Sequence, residues 1–115
     1  MNLILKNGEN TNQFQILILD DEQSIRWVLE KTLSQAGYIT YLAKDASEAR
    51  QILQKFSIRL AIVDINLPGI DGISFTREIL NDYPSLLTIV MTGQSTVYST
   101  VEAMKAGAFD YVAKP

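Results

Sequence analysis

The sequence contains no cysteine and no histidine among its 115 residues. Without cysteine, disulfide bonds and thiolate metal sites are excluded. Without histidine, imidazole general bases, Ser-His-Asp catalysis and histidine-ligated zinc are excluded as well. Any chemistry must therefore depend on carboxylates, lysine, hydroxyl groups and a hard metal ion.

Long apolar runs and clusters of basic residues are also missing. The apolar run at 16–19 is far shorter than the roughly 18–20 residues that a membrane-spanning helix needs, and the N-terminus has no signal-peptide pattern. The net charge is −3, and no Lys/Arg cluster suggests nucleic-acid binding by this segment. We therefore expect a cytoplasmic chain that binds neither membrane nor nucleic acid directly.

The length suits one compact domain and is too short for two. Hydrophobic residues make up 47% of the chain and charged residues 20%, which is the balance of a soluble globular protein. Residues 1–13 are mostly polar and lack periodicity, so we interpret them as an N-terminal extension that precedes a domain at 14–115.

From Phe14 onward, strand-like runs alternate with segments of helical periodicity. Gly37 and Gly107 are expected to end the first and fourth helices, and Pro84 to close the third. The predicted strands cover residues 16–19, 38–42, 60–63, 86–91 and 109–112. The resulting β-α-β-α-β-α-β-α-β order predicts an α/β fold with a doubly wound parallel sheet, because parallel strands are joined by right-handed crossover helices.

Polar residues follow the predicted strands at their carboxyl ends, where ligands bind to open parallel sheets. These residues are Asp20 and Asp21 after the first strand, Asp64 after the third, Thr92 after the fourth and Lys114 after the fifth. Crowded carboxylates raise one another's pKa unless a cation lies among them. An oxygen-only ligand set suits Mg²⁺, and a carboxylate beside it can act as a nucleophile toward phosphate.

Each of these residues also has an ordinary structural interpretation. Asp20 and Asp21 could cap the following helix, Asp64 could begin the turn before Pro68-Gly69, and Thr92 could be a further cap. Lys114 alone could be a solvated lysine. Capping does not explain the whole set, because Lys114 precedes no helix start.

The motifs ILDDE (18–22), VDINLPGIDG (63–72), MTG (91–93) and AGAFDYVAKP (106–115) resemble those of response-regulator receiver domains. The resemblance runs from about Phe14 to Pro115. It implies a flavodoxin-like fold with five parallel strands in the order 2-1-3-4-5. A fifth helix would normally follow Lys114-Pro115, and we expect it to be missing from this chain through truncation.

The resemblance also implies a role for each matching position. Asp64 becomes the phosphoacceptor, and Mg²⁺ is bound by Asp64, by Asp21, by Asp20 through water, and by the backbone carbonyl of Asn66. Lys114 contacts a phosphoryl oxygen, and its peptide bond to Pro115 is expected to be cis.

Thr92 is implied to reorient toward the phosphoryl group, and Tyr111 to be the aromatic residue that moves inward with it. The surface of the fourth helix and fifth strand would then report phosphorylation. The chain would be a phosphoacceptor switch rather than an enzyme acting on other substrates, and it would catalyse only its own phosphotransfer and dephosphorylation.

Within the receiver family the sequence is most similar to the nitrogen-regulatory NtrC-like class. This similarity implies a cognate sensor histidine kinase as partner, with ATPase and DNA-binding output domains in the full-length chain. Without its fifth helix, the sheet face beside the last strand would be uncovered, so we expect homodimerisation or exchange of elements.

Two other functions fit parts of the pattern. A phosphatase of the haloacid-dehalogenase type uses a similar residue set but needs an aspartate two residues after the nucleophile, where this chain has Asn66. Turnover of p-nitrophenyl phosphate would distinguish it. A pseudo-receiver or flavodoxin-like interaction module would be favoured if Asp21, Asp64 or Lys114 were missing, and all three are present.

Overall fold

A computed structural model of the chain describes residues 14–93 and 97–115. The predicted N-terminal extension, residues 1–13, lies outside the described residues. Within these described ranges, nine elements follow one another in the alternating order that the sequence predicts. They are β1 (Gln15–Leu19), α1 (Gln23–Gln35), β2 (Ile39–Ala43), α2 (Ala46–Lys55), β3 (Leu60–Asp64), α3 (Gly72–Asp82), β4 (Leu87–Thr92), α4 (Val97–Lys105) and β5 (Asp110–Ala113).

The five strands form one parallel sheet in the order β2-β1-β3-β4-β5, which confirms the predicted fold class and strand order. The chain reverses its direction across the sheet after β2, because β1 lies between β2 and β3. Such a reversal creates a crevice at the carboxyl ends of the central strands. The crevice therefore lies where β1 and β3 end.

Local signals set the helix boundaries. Asp45 caps α2 by accepting a hydrogen bond from the Glu48 amide, and Asp71 caps α3 by accepting one from the Ser74 amide. Gly37 and Gly107 follow α1 and α4 with φ angles of +99° and +104°. These are left-handed conformations that glycine adopts without steric cost.

Alternate residues of β1, β3 and β4 enter separate cores on the two faces of the sheet. On one face, Ile16, Ile18, Ile62 and Met91 pack with α1 through residues such as Leu29. The core of the other face includes Leu17, Val63, Phe75 of α3 and Leu53 of α2, and Val90 packs there with Ala103 of α4. In the described part of the chain, no helix is long and apolar enough to cross a membrane.

Candidate functional site

The predicted polar residues meet at the carboxyl edge of the sheet. Asp20 and Asp21 directly follow β1, and Asp64 and Thr92 are the last residues of β3 and β4. Lys114 follows β5, and its amide donates a hydrogen bond to the Thr92 carbonyl at 2.8 Å. Because the strands are parallel and in register, this pairing places the lysine beside the ends of the central strands.

The ammonium group of Lys114 lies among three carboxylates. Its Nζ atom is 3.1 Å from Asp20 Oδ2, 3.2 Å from Asp64 Oδ2 and 3.0 Å from Glu22 Oε1. Asp20 and Asp64 are fully buried, and the Lys114 side chain is 14% exposed. Two buried acids from separate strands therefore share one nearly buried cation.

Backbone contacts hold Asp20 in place. Its amide donates to the Ala43 carbonyl of β2 at 3.1 Å, and its own carbonyl accepts a hydrogen bond from Arg26 of α1 at 2.7 Å. Its Oδ1 atom accepts the amide hydrogen of Glu22 at 2.8 Å. The carboxylate is thus fixed by β1, β2 and the start of α1 together.

Asp64 is held by the loop that follows it. Its Oδ1 atom accepts a hydrogen bond from the Asn66 amide at 3.1 Å. Burial raises the pKa of the Asp64 carboxyl above its ordinary value, because desolvation and the neighbouring Asp20 outweigh the hydrogen bond from Asn66 and the attraction of Lys114. The surroundings of Asp64 consequently disfavour its ionised form, and a nearby cation would favour it.

Lys114 shows the complementary effect. Burial alone would lower the pKa of its ammonium, but the contacts with Glu22, Asp20 and Asp64 outweigh burial and raise that pKa above its ordinary value. The lysine therefore remains charged across the physiological pH range. A permanent positive charge faces the candidate nucleophile.

The carboxylate cluster could hold a metal ion. One oxygen from each of Asp20, Asp21 and Asp64 lies within 4.8 Å of the others, and Asp21 is exposed while the other two are buried. Asp20 Oδ2 is buried and accepts no well-aligned hydrogen bond from the part of the chain that is described, although it faces Lys114 as an ion pair. Several carboxylate oxygens, one of them incompletely satisfied, fit a hard cation such as Mg²⁺.

The route to this cluster is open to solvent. Asp21 and Asn66 line the same cavity of about 420 Å³, together with the loop from Leu67 to Asp71. Asn66 is exposed there, so its backbone is positioned at the rim of the carboxylate site. The cavity gives a ligand access to the exposed side of the acidic cluster.

The two predicted switch residues lie on neighbouring strands. Thr92 is almost fully buried at the end of β4, and Tyr111 is half-buried on β5, where it packs against the core that includes Val90 and Ala103. The Tyr111 hydroxyl is 2.9 Å from Ser99 Oγ of α4. Its side chain therefore bridges β5 and α4, the two elements of the predicted readout surface.

The predicted cis peptide bond between Lys114 and Pro115 is wrong, because the structure has no cis bond in the described residues. A trans bond is intrinsically favoured before proline by about 0.5–1 kcal/mol. The pairing of β5 with β4 already brings Lys114 to the carboxylates. The cis geometry is therefore not needed to place the ammonium group in the site.

Two residues of the site were not assigned a role from the sequence. Glu22 follows the aspartate pair and directly precedes α1, and its side chain contacts Lys114 and makes no cap hydrogen bond. Gly72 begins α3 against the backbone of the Asp64 loop, where an added Cβ would lie 2.0 Å from the Asp64 carbonyl oxygen. The glycine is visible in the sequence, but its close approach to the backbone of Asp64 is not.

Comparison with known proteins places this geometry in a family. Residues 16–115 match the family model described as the response regulator receiver domain. The DNA-binding transcriptional regulator NtrC of Escherichia coli K12 is 36% identical over 100 residues, which cover 87% of this chain and 21% of that protein. The chain thus spans about a fifth of the length of this curated relative.

Solved structures share the fold. A crystal structure of NtrX from Brucella abortus in complex with ADP superposes with a TM-score of 0.84 at 33% identity, covering 90% of this chain and 24% of that one. A second match is the crystal structure of a Burkholderia pseudomallei response regulator with a phosphorylated aspartic acid, a calcium ion and citrate. It gives a TM-score of 0.83 at 27% identity and covers 90% of this chain and 61% of that one.

Proposed function

The chain belongs to the response regulator receiver domain family, in its NtrC/NtrX-type branch, and we propose that it accepts a phosphoryl group on Asp64. The donor is a cognate sensor histidine kinase. Phosphorylation then changes the surface formed by α4 and β5, which controls an output domain. The chain is a switch that catalyses only its own phosphotransfer and dephosphorylation.

The observation that carries this proposal is the contact of Lys114 with two buried aspartates from different strands. A structural lysine would need only one partner at a solvated edge. Here a fixed cation faces the buried Asp64 carboxylate, which lies next to Asp21 and the cavity that Asp21 and Asn66 line. This arrangement suits an anionic group transferred to Asp64.

Asp20, Asp21, Asp64 and the backbone carbonyl of Asn66 would hold Mg²⁺. When bound, the ion neutralises carboxylate charge and allows the approach of a phosphoryl group. The closeness of the three aspartates supports this ligand set. The calcium ion reported for the Burkholderia regulator shows that a relative also contains a divalent cation.

In the transfer step, one carboxylate oxygen of Asp64 forms a bond to phosphorus while the bond between phosphorus and the donor breaks. The leaving group keeps the electron pair of the broken bond, and the product is an aspartyl phosphate. Lys114 balances the charge on one phosphoryl oxygen, and the Thr92 hydroxyl donates a hydrogen bond to another. No proton needs to leave Asp64, because its ionised form is the nucleophile.

Phosphorylation adds a charge of about −1.5 to −2 at neutral pH, so it favours whichever arrangement of the β4-α4 loop contacts it best. Thr92 makes that contact, and Tyr111 follows inward because it lies on the adjacent strand. The Tyr111–Ser99 contact would transmit the change to α4. In the full-length chain we expect ATPase and DNA-binding domains to receive this signal in the cytoplasm.

We further propose that the receiver domain occupies residues 14–115. Its first strand begins at Gln15, and the family match begins at residue 16. Contacts between β1 and both β2 and β3 make the start of the domain part of the sheet. Removal of residues 1–13 should therefore leave phosphorylation intact.

The direct experiment is to incubate the chain with acetyl phosphate and Mg²⁺ and to measure its intact mass. We expect one phosphoryl adduct in the wild type and none in Asp64→Ala. Asp110→Ala is the matched control, because Asp110 is an exposed aspartate on β5 that should leave labelling unchanged. A wild type without an adduct, or an undiminished adduct in Asp64→Ala, would contradict the proposal.

A further inference from the structure

Glu22 occupies the position where a helix cap is expected, but its side chain is used elsewhere. It precedes α1 and makes no side-chain cap hydrogen bond. Its Oε1 atom instead lies 3.0 Å from Lys114 Nζ, which is 92 positions away in the sequence. The carboxylate therefore belongs to the phosphoacceptor site in space, although it has no place in the proposed metal ligand set.

An ammonium group has three N–H donors. Lys114 Nζ has three carboxylate oxygens within 3.2 Å, from Asp20, Glu22 and Asp64. The ammonium donates hydrogen bonds to Glu22 and Asp64 and forms an ion pair with Asp20. A phosphoryl oxygen that approaches Lys114 therefore competes with these carboxylates for the ammonium.

The three carboxylates differ in how easily they can leave. Asp20 and Asp64 are buried and accept hydrogen bonds from the amides of Glu22 and Asn66, so their displacement would leave a buried anion poorly paired. The Glu22 side chain is 56% exposed, and water can replace its contact with the ammonium. Glu22 is the partner that a phosphoryl group displaces most easily.

We propose that Glu22 is a positioning residue that competes with the phosphoryl group for Lys114 and so limits how tightly the site holds it. The inference rests on the proposed function and adds a regulatory feature to the same site. In the unphosphorylated chain Glu22 holds the ammonium. On phosphorylation Glu22 is released to solvent and the phosphoryl oxygen takes its place.

The test uses beryllofluoride as a phosphoryl analogue at saturating Mg²⁺, with binding followed by amide NMR shifts. Glu22→Gln keeps the shape of the side chain and removes its charge. We expect its beryllofluoride affinity to be roughly twofold to fivefold higher than that of the wild type, the range expected from loss of an exposed ion pair. Glu30→Gln is the matched control, because it removes the same charge from α1 two helical turns away.

Two further measurements separate competition from a structural effect. The affinity ratio of variant to wild type should fall toward one as salt rises from about 0.05 M to about 0.5 M, because salt screens exposed charges. In metal-free protein, the side-chain Cε–Hε NMR signal of Lys114 should shift in Glu22→Gln and stay in place in Glu30→Gln.

A second variant, Glu22→Asp, should also bind beryllofluoride more tightly than the wild type, because its shorter side chain holds Lys114 less well.

The outcomes are distinguishable from those of the proposed function. If the wild type fails to bind beryllofluoride at all, both the function and this inference fail. If the wild type binds but the affinities of Glu22→Gln and Glu22→Asp equal that of the wild type, the role of Glu22 is overturned while the phosphoacceptor function stands. If Glu30→Gln gained as much beryllofluoride affinity as Glu22→Gln, the effect would be one of overall charge, and the role of Glu22 would also be overturned.

Discussion

Lys114 and the acids around it depend on one another for their charge states. Asp64 and Lys114 both lose hydration at the sheet edge, which by itself disfavours their charged forms. The acids raise the pKa of Lys114, whereas Lys114 only partly offsets the burial of Asp64. The site therefore keeps unrelieved negative charge, which a divalent cation can neutralise.

This imbalance predicts the effect of Asp64→Asn on stability without metal. The folded-state pKa of Asp64 is raised, so its contribution to stability is present below the ordinary pKa of about 3.8 and is lost as the pH rises through the folded-state pKa. At neutral pH, Asp64→Asn should therefore increase the free energy of unfolding by on the order of 1 kcal/mol, a scale typical of single substitutions. Urea denaturation in EDTA at several pH values measures the difference.

The increase in the free energy of unfolding caused by Asp64→Asn should shrink toward zero at low pH, because the wild-type carboxyl is itself neutral there. Asp82→Asn is a suitable control, because it breaks an exposed ion pair with Arg50 and should not stabilise the protein. An Asp64→Asn variant that is less stable than the wild type at neutral pH would show that Lys114 overcompensates the burial of Asp64.

Sequence alone predicted which aspartates and which lysine share the site, because parallel strands bring their carboxyl ends to one edge. It did not predict the Glu22–Lys114 contact. An exposed acid directly before a helix is most often a cap, and only the position of Lys114 shows that this one points elsewhere. The wrong prediction of a cis bond between Lys114 and Pro115 came from the family resemblance and not from the local sequence.

At the scale of elements, α3 and the β3-α3 loop are packed backbone to backbone. The Gly72 amide donates to the Ile65 carbonyl at 2.8 Å, and its missing Cβ leaves room for the Asp64 carbonyl. The Thr76 hydroxyl then donates to the Gly72 carbonyl at 2.8 Å. The start of α3 thus fixes the loop that directly follows Asp64, the proposed phosphoacceptor.

Gly72→Ala should consequently destabilise the fold by about 1–3 kcal/mol, since the new methyl group overlaps backbone that cannot move without the loop. Gly93→Ala is the matched control, because a Cβ there meets nothing within 4 Å. Urea denaturation of both variants gives the comparison. Equal stability of Gly72→Ala and the wild type would mean that α3 can shift away from the loop.

The cap of α3 gives a second prediction at this scale. Asp71 accepts hydrogen bonds from the Ser74 amide and hydroxyl, both at 2.8 Å, and chiefly the amide bond lowers the pKa of the Asp71 carboxyl. Asp71→Ala should cost about 0.5–2 kcal/mol, as loss of a helix cap does. Because the pKa is lowered, this cost is present above pH about 3.8 and disappears as the pH falls through the folded-state pKa.

Thermal unfolding of Asp71→Ala and of the wild type across this pH range measures how much the cap contributes to stability. Asp71→Asn should lose much less stability, because asparagine is an equally good cap. A pH-independent difference for Asp71→Ala would assign the loss to packing.

Element boundaries were predictable because apolar runs and glycines mark them clearly. All five strands lie within a residue or so of the predicted ranges. The close approach at Gly72 was not predictable, since it depends on the distance between a helix and a loop that meet only in the folded chain.

At the scale of the whole molecule, the two sheet faces are covered unequally. In the described residues, α1 is the helix that packs on the face of Ile16, Ile62 and Met91, while α2, α3 and α4 pack on the other. Val112, which pairs with Met91 and so shares its face, is 38% exposed. Val112 therefore contributes exposed apolar surface to this face of the sheet at β5.

We expect this face to drive self-association of the chain at high concentration, because exposed apolar surface of this kind favours contact with a second copy. Val112→Glu should shift the protein toward monomer in sedimentation equilibrium. Val101→Glu, which places the same charge on exposed α4, controls for added repulsion. A wild type that remains monomeric at millimolar concentration would contradict the expectation.

The central claim is that acids from β1 and β3 bind a divalent ion beside Lys114 and that Asp64 then accepts phosphate. An amide NMR titration with Mg²⁺, followed by beryllofluoride, tests it most directly. We predict that Mg²⁺ shifts signals at residues 20–22 and 64–66, and that beryllofluoride then shifts Thr92, Gly93 and Lys114. Absence of Mg²⁺ shifts, or Mg²⁺ shifts unchanged by Asp21→Ala, would contradict the account.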